Sequence, residues 1–214
     1  MTVINKNHHN TYKHFLTEDE CEQLSTFVLA EEEKVMAIEN PYETDYVGLT
    51  KQHKVFNWLS YDTLKALNIP QRLFELPDFE DTTHIAIQCW MNVLRQTERI
   101  RMHSHGTNFF PNHEDGEDNF YACNVFLSGN TTTGTHYADI GYTPNELGEI
   151  HICHNLLDHA VPSHLFREPR ISMAMDVWIG KAPTMLENAE NRILEYDGSV
   201  HEPDRVIEYA RPLP

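Results

Sequence analysis

The chain has 214 residues, with 33 Asp and Glu against 16 Lys and Arg, and a formal net charge of −17. That balance excludes a general nucleic-acid binder and a binder of anionic membranes, because phosphate neutralisation needs Lys and Arg; it leaves room for a local basic pocket. A 40% apolar share excludes a disordered chain, and the length is enough for one domain with its own core.

The N-terminal MTVINKNHHNTYKHF has no apolar h-region, and no apolar run is long enough to span a bilayer. The expected location is the cytoplasm. The histidines of this polar stretch, His8, His9 and His14, are expected to be solvated. Residues Thr17–Val35 read as a first helix: Thr17 and Glu20 form a capping box, and Leu24, Phe27 and Val28 give the apolar stripe. Residues 37–55 read as loop or edge, and the run Glu31–Glu33 as a solvated face. A second helix is expected near Ser60–Leu67, with Ile69-Pro70 ending it or following it closely.

From His84 the pattern turns to strands. THIAIQCWMNVL, RIRMHSH, NFYACNVFLSG, GTHYADI, GEIHICHN, HAVPSHL and RISMAMDVWIG follow one another, separated by Gly, Asn and Pro turns. Such spacing predicts a β-sandwich or barrel. The fold class expected is α+β, mainly β, with helices first. The expected organisation is a single domain over 1–214: a helical part over 1–83, a β core over 84–180 and an extension over 181–214. The extension is expected to hold a helix near Met185–Leu194 and a short strand near Val206–Tyr209. Cys21, Cys89, Cys123 and Cys153 are scattered without C-x-x-C spacing and read as reduced, buried thiols.

Two constellations carry chemistry. His103-Ser104-His105 places two imidazoles at i and i+2, which on a strand share one face. His159, returning across the sheets, is the natural third ligand. Imidazole suits Fe, Zn, Cu or Ni, so ligand type alone does not choose the metal. Arg170-Ile171-Ser172 puts a guanidinium and a hydroxyl on one strand face, a good receptor for a carboxylate. An inward Arg in a core strand is costly without an anionic partner. His113-Glu114-Asp115, in the long loop His105–Asp118, is a rival ligand pair, and His105 with a loop carboxylate is another. Phe109 and Phe110, adjacent aromatics in that polar loop, are expected to close over a substrate; Glu114–Asp118 reads as solvated. His151 and His154 are expected in the core, His164 at the surface, and Trp90 and Trp178 in packing. His136 is placed near the mouth of the site, with Asp139 in a turn.

The run GEIHICHNLLDHAVP followed by RISMAMDVW resembles the C-terminal half of the Fe(II)/2-oxoglutarate-dependent oxygenases, and WMNV before H-S-H resembles a phage and bacterial branch of them similar to prolyl hydroxylases. The similarity covers about Trp90–Gly180. It implies a double-stranded β-helix (jelly-roll, cupin-like) core. It implies Fe(II) on His103, His105 and His159, and 2-oxoglutarate with its far carboxylate on Arg170 and Ser172, oriented by Asn124 and Tyr137. O2 would be the second cosubstrate, succinate and CO2 the products, and a peptidyl or small-molecule C–H the target of hydroxylation. The sequence departs from the superfamily in one place: most members carry H-x-D or H-x-E where this chain has H-S-H. A cupin-type three-histidine enzyme without 2-oxoglutarate, and a non-catalytic jelly-roll binder, are the competing readings.

Overall fold

A computed structural model describes residues 8–42, 44–105, 120–180 and 207–212. Thr17 caps the first helix, α1 (Glu18–Met36), and the capping box forms in full: Thr17 accepts from the Glu20 N–H while the Glu20 carboxylate accepts from the Thr17 N–H. Cys21, Leu24, Val28 and Val35 are its buried positions, the three- and four-residue spacing that makes one helical stripe. Two short helices follow, α2 (Asp62–Ala66) and α3 (Ile69–Phe74). Ile69-Pro70 follows α2 closely, and it opens α3. Proline lacks the N–H that the first turn leaves unpaired, and Asn68, in the left-handed region at φ 52°, makes the break. Residues 37–55 hold more than loop: Gly48–Lys54 forms a 3-10 helix that buries Leu49, Thr50, Gln52 and His53.

The strands form two antiparallel sheets. The major sheet runs β1 (His9–Tyr12), β7 (Ile150–His154), β4 (Phe120–Ser128), β9 (Arg170–Ile179), β2 (His84–Leu94), β10 (Ile207–Ala210). The minor sheet runs β3 (Ile100–His103), β8 (His159–Val161), β5 (Thr135–Tyr137), β6 (Gly141–Thr143). GTHYADI thus divides into β5 and the turn into β6, a strand the sequence pattern did not suggest. The polar N-terminal stretch also departs from expectation. Its residues His9–Tyr12 pair with β7, His9 facing Cys153, so His8 and His9 are half-buried and only His14 is exposed. At the opposite edge β10 pairs with β2, and Arg211 beside it donates to the carbonyls of Phe74, Phe79 and Thr82. The expected helix near Met185–Leu194 lies outside the described residues, as do His113, Asp115, Phe109, Phe110 and Glu114–Asp118.

The strands β2 and β9 pair over ten residues, from Ile85 opposite Ile179 to Leu94 opposite Arg170. Their odd-numbered side chains, Ile85, Ile87, Cys89, Met91 and Val93 with Ile171, Met173, Met175 and Val177, lie in the core cluster that also holds Leu24 and Val28 of α1. Their even-numbered side chains point the other way, toward the minor sheet. No helix among the described residues is long and apolar enough to cross a membrane.

Candidate metal centre

Between the two sheets lies a cavity of about 90 Å³. Major-sheet residues Trp90, Asn92, Ala122, Asn124, Cys153, Ala174 and Asp176 line one side; Tyr137, His159 and Val161 of the minor sheet line the other. The small side chains Ala122 and Ala174 leave this space. Thr50, His53 and Tyr46 close it from the segment before β2.

Three imidazoles meet at this cavity. His103 ends β3 and stands opposite His159, which begins β8. One ring nitrogen from each of His103, His105 and His159 lies within 4.8 Å of the others. His105 arrives by a different route from the one its spacing suggests. It lies beyond the end of β3, held by its N–H to the Asn155 carbonyl at 2.8 Å, and its ring stacks on His103 with centroids 5.3 Å apart. The Nδ1 atoms of His103 and His159 face the carbonyls of Arg101 and Leu157 at 2.8 and 2.9 Å. His105 Nδ1 faces Asp176 Oδ1 at 2.5 Å. Each of those oxygens accepts, so each Nδ1 carries the hydrogen and Nε2 is the atom left for a metal. Burial, then the neighbouring His105, lowers the pKa of His103 to about 4; burial with His105 and His103 holds His159 well below its ordinary value. Three imidazoles brought this close, each with its Nδ1 already engaged, are a donor set that fits a divalent transition metal through Nε2. Fe(II) is among the ions it suits.

Further along the same strand face stands Arg170, fully buried. Gly129, at φ +108°, lets the chain pass close: a Cβ there would lie 2.8 Å from the Pro169 carbonyl. Arg170 Nε donates to the Thr133 carbonyl at 3.1 Å and its Nη1 to Ser172 Oγ at 3.1 Å, while Nη2 has no partner. Burial lowers the guanidinium to about 10. Ser172 Oγ also accepts from Asn92 Nδ2 at 3.4 Å, and Asn92 Oδ1 accepts from Thr50 Oγ1 at 2.8 Å. With both lone pairs of Ser172 engaged, its hydroxyl has only a proton left to give. Two unspent donors, Arg170 Nη2 and the Ser172 hydroxyl, therefore stand next to each other beside Asn92. An unpaired buried N–H costs about 1–3 kcal/mol, which a carboxylate would recover.

Asn124 lines the cavity opposite Ala174 and His151. Tyr137 lines it as well and donates its hydroxyl to His151 Nδ1 at 3.2 Å; His151 Nε2 faces Glu149 Oε2 at 3.2 Å. His151 and His154 are buried as expected. His164 is not at the surface: it is fully buried, bonded to Thr133 Oγ1 and the Glu168 carbonyl. That places it against the same Thr133 that holds Arg170. His136 points outward and is exposed, like Asp139. Trp178 packs on Phe120, whereas Trp90 both packs and lines the cavity. Asp176, Asn92 and Thr50 were missed. Period-2 counting from Arg170 would have found Asp176; nothing in the loop sequence marked Thr50.

The sequence matches no known family profile and no curated protein. The fold does have relatives among solved structures. A non-haem monooxygenase, ThoJ in complex with Ni, superposes with a TM-score of 0.58 at 11% identity, covering 84% of this chain and 77% of that one. The non-haem α-ketoglutarate-dependent epimerase SnoN from nogalamycin biosynthesis gives 0.55 at 14%, covering 80% and 78%. EctD from S. alaskensis, solved with 2-oxoglutarate and 5-hydroxyectoine, gives 0.58 at 13%, covering 80% and 72%. At these identities the likeness is one of fold.

Proposed function

We propose that the protein is a non-haem Fe(II)- and 2-oxoglutarate-dependent oxygenase of the cytoplasm, built on a double-stranded β-helix, that hydroxylates a peptidyl or small-molecule substrate. The observation that carries this reading is the fully buried Arg170 with a spare Nη2, beside a Ser172 hydroxyl that can only donate, on the same strand face that leads to three imidazoles. A metal-only site has no use for a buried, half-satisfied guanidinium. A dicarboxylate that ligates the metal at one end explains both. The four unpaired, buried thiols suit a reducing compartment.

In this reading His103, His105 and His159 hold Fe(II), Arg170 and Ser172 receive the far carboxylate of 2-oxoglutarate, and Asn124 and Tyr137 orient it. Fe(II), when bound, supplies the activation of O2 that turns 2-oxoglutarate into succinate and CO2 and oxidises a substrate C–H. The chain's own contribution is geometric. Asn92 and Thr50 fix the Ser172 oxygen, so its proton points at the ligand. Ala122 and Ala174 leave room for the cosubstrate, and the buried walls exclude water from the reacting centre. The all-histidine donor set favours one other reading, a cupin-type metal enzyme without 2-oxoglutarate.

The test is succinate formation from 2-oxoglutarate by anaerobically purified, Fe(II)-reconstituted protein exposed to air. Slow turnover without substrate is expected, lost in both Arg170→Ala and His159→Ala. Iron binding with neither turnover nor 2-oxoglutarate affinity would transfer the protein to the cupin reading. Absence of iron binding would remove both.

A further inference from the structure

The candidate ligands are three imidazoles, so the donor set brings no negative charge of its own. Their Nδ1 partners are not equivalent. His103 and His159 are each turned by a backbone carbonyl. His105 alone is turned by a carboxylate, Asp176 Oδ1 at 2.5 Å. Asp176 lies mid-strand in β9, 9% exposed, and lines the cavity itself. Its register neighbours across the sheet are Gln88 and Ala122, neither charged. The Asn155 carbonyl holds the His105 backbone as Asp176 holds its ring. A buried carboxylate in an apolar strand is expensive, and the group that meets this one is His105, a candidate ligand.

We propose, resting on the metal-centre reading above, that Asp176 is the positioning residue that gives this centre its negative charge from outside the ligand set. By accepting the Nδ1–H of His105 it directs Nε2 at the metal and makes that imidazole the strongest donor of the three. A short, charge-assisted bond in a water-poor cavity transmits charge well. The centre keeps three protein donors, yet its total charge equals that of a site with two imidazoles and one carboxylate.

The experiment uses full-length apoprotein with Co(II) as optical probe and azide as a test anion. Asp176→Asn is expected to weaken Co(II) binding about 10- to 100-fold, as loss of such a partner does. It is also expected to tighten azide binding to the Co(II) protein about ten-fold, since one negative charge a few ångströms from the metal is gone. Asp176→Glu keeps the charge and should show the wild-type azide affinity. A structural ion pair would weaken metal binding without moving the azide constant, and that result overturns the proposal, as does unchanged Co(II) affinity. If the Asn variant does not fold, wild-type protein decides: a far-downfield, exchange-protected His105 Nδ1–H proton in the Zn(II) form is expected, and its absence overturns the assignment. Wild-type protein that binds no Co(II) would instead sink the metal reading itself.

Discussion

The two faces of one pair of strands behave as two different materials. On β2 and β9 the odd-numbered side chains are Ile, Val, Met and Cys, packed in one cluster with α1. The even-numbered ones include Gln88, Asn92, Arg170, Ser172 and Asp176, all buried too. Burial therefore does not separate core from site here; hydrogen-bond completeness does. The first face has nothing to satisfy. The second keeps unspent donors at Arg170 and Ser172 and looks across the cavity at three imidazoles of the opposite side. One face carries stability and the other carries chemistry, and substitutions should divide accordingly.

The largest effect is expected on the helix-facing side. Ile87→Ala should cost about 2–5 kcal/mol in denaturant unfolding through lost burial and a cavity, while Co(II) affinity of the folded fraction stays as it was. Arg170→Leu should do the reverse. A buried guanidinium carries a desolvation cost that Leu does not, and this offsets two lost hydrogen bonds of about 1 kcal/mol each, so stability should move by only about 1 kcal/mol, while 2-oxoglutarate affinity falls about 100-fold with the lost charged hydrogen bonds. A loss of several kcal/mol there would mean that Arg170 belongs to the core after all. Thr17→Ala, which removes the α1 cap, should cost about 1 kcal/mol with no change in ligand binding.

The faintest effect concerns the sheet edge. Burial, then His151 and His8, lowers His9 to about 4 from 6.5. Unfolded His9 takes up a proton below pH 6.5, whereas folded His9 does so only near pH 4. The unfolded state binds more protons between those values, so stability falls as pH drops through that window and levels off below it. His9→Gln should flatten this part of the stability curve relative to wild type; curves that superimpose would show that His9 is free to protonate in the fold.

The division between faces was partly legible in the sequence. Alternation in RISMAMDVWIG put Arg170 and Ser172 together, and H-x-H marked His103 and His105, because both patterns use the strand period of two. Helix α1 was legible from its cap and stripe. What escaped depended on long-range pairing. His9–Tyr12 reads as polar and solvated until β7 supplies a partner more than a hundred residues away. Thr50 reaches the cavity wall only because a 3-10 helix lays it against Asn92. His164 looked superficial because its partners, Thr133 and Glu168, lie in turns. His105 sits past its strand, where a neighbouring turn and a distant carboxylate aim it.

The four thiols turn this architecture into a set of clocks. Burial raises Cys21 to about 11, Cys153 to about 12, and Cys89 and Cys123 well above the usual range. A thiol held protonated and shielded reacts with a disulfide reagent only when its surroundings open. The cysteines mark different places: Cys21 on the buried side of the first helix, Cys89 on the strand beside β10, Cys123 and Cys153 at the cavity wall. Labelling rates read one by one would thus time how each layer breathes, and an agent filling the cavity should slow the Cys123 and Cys153 clocks before the other two.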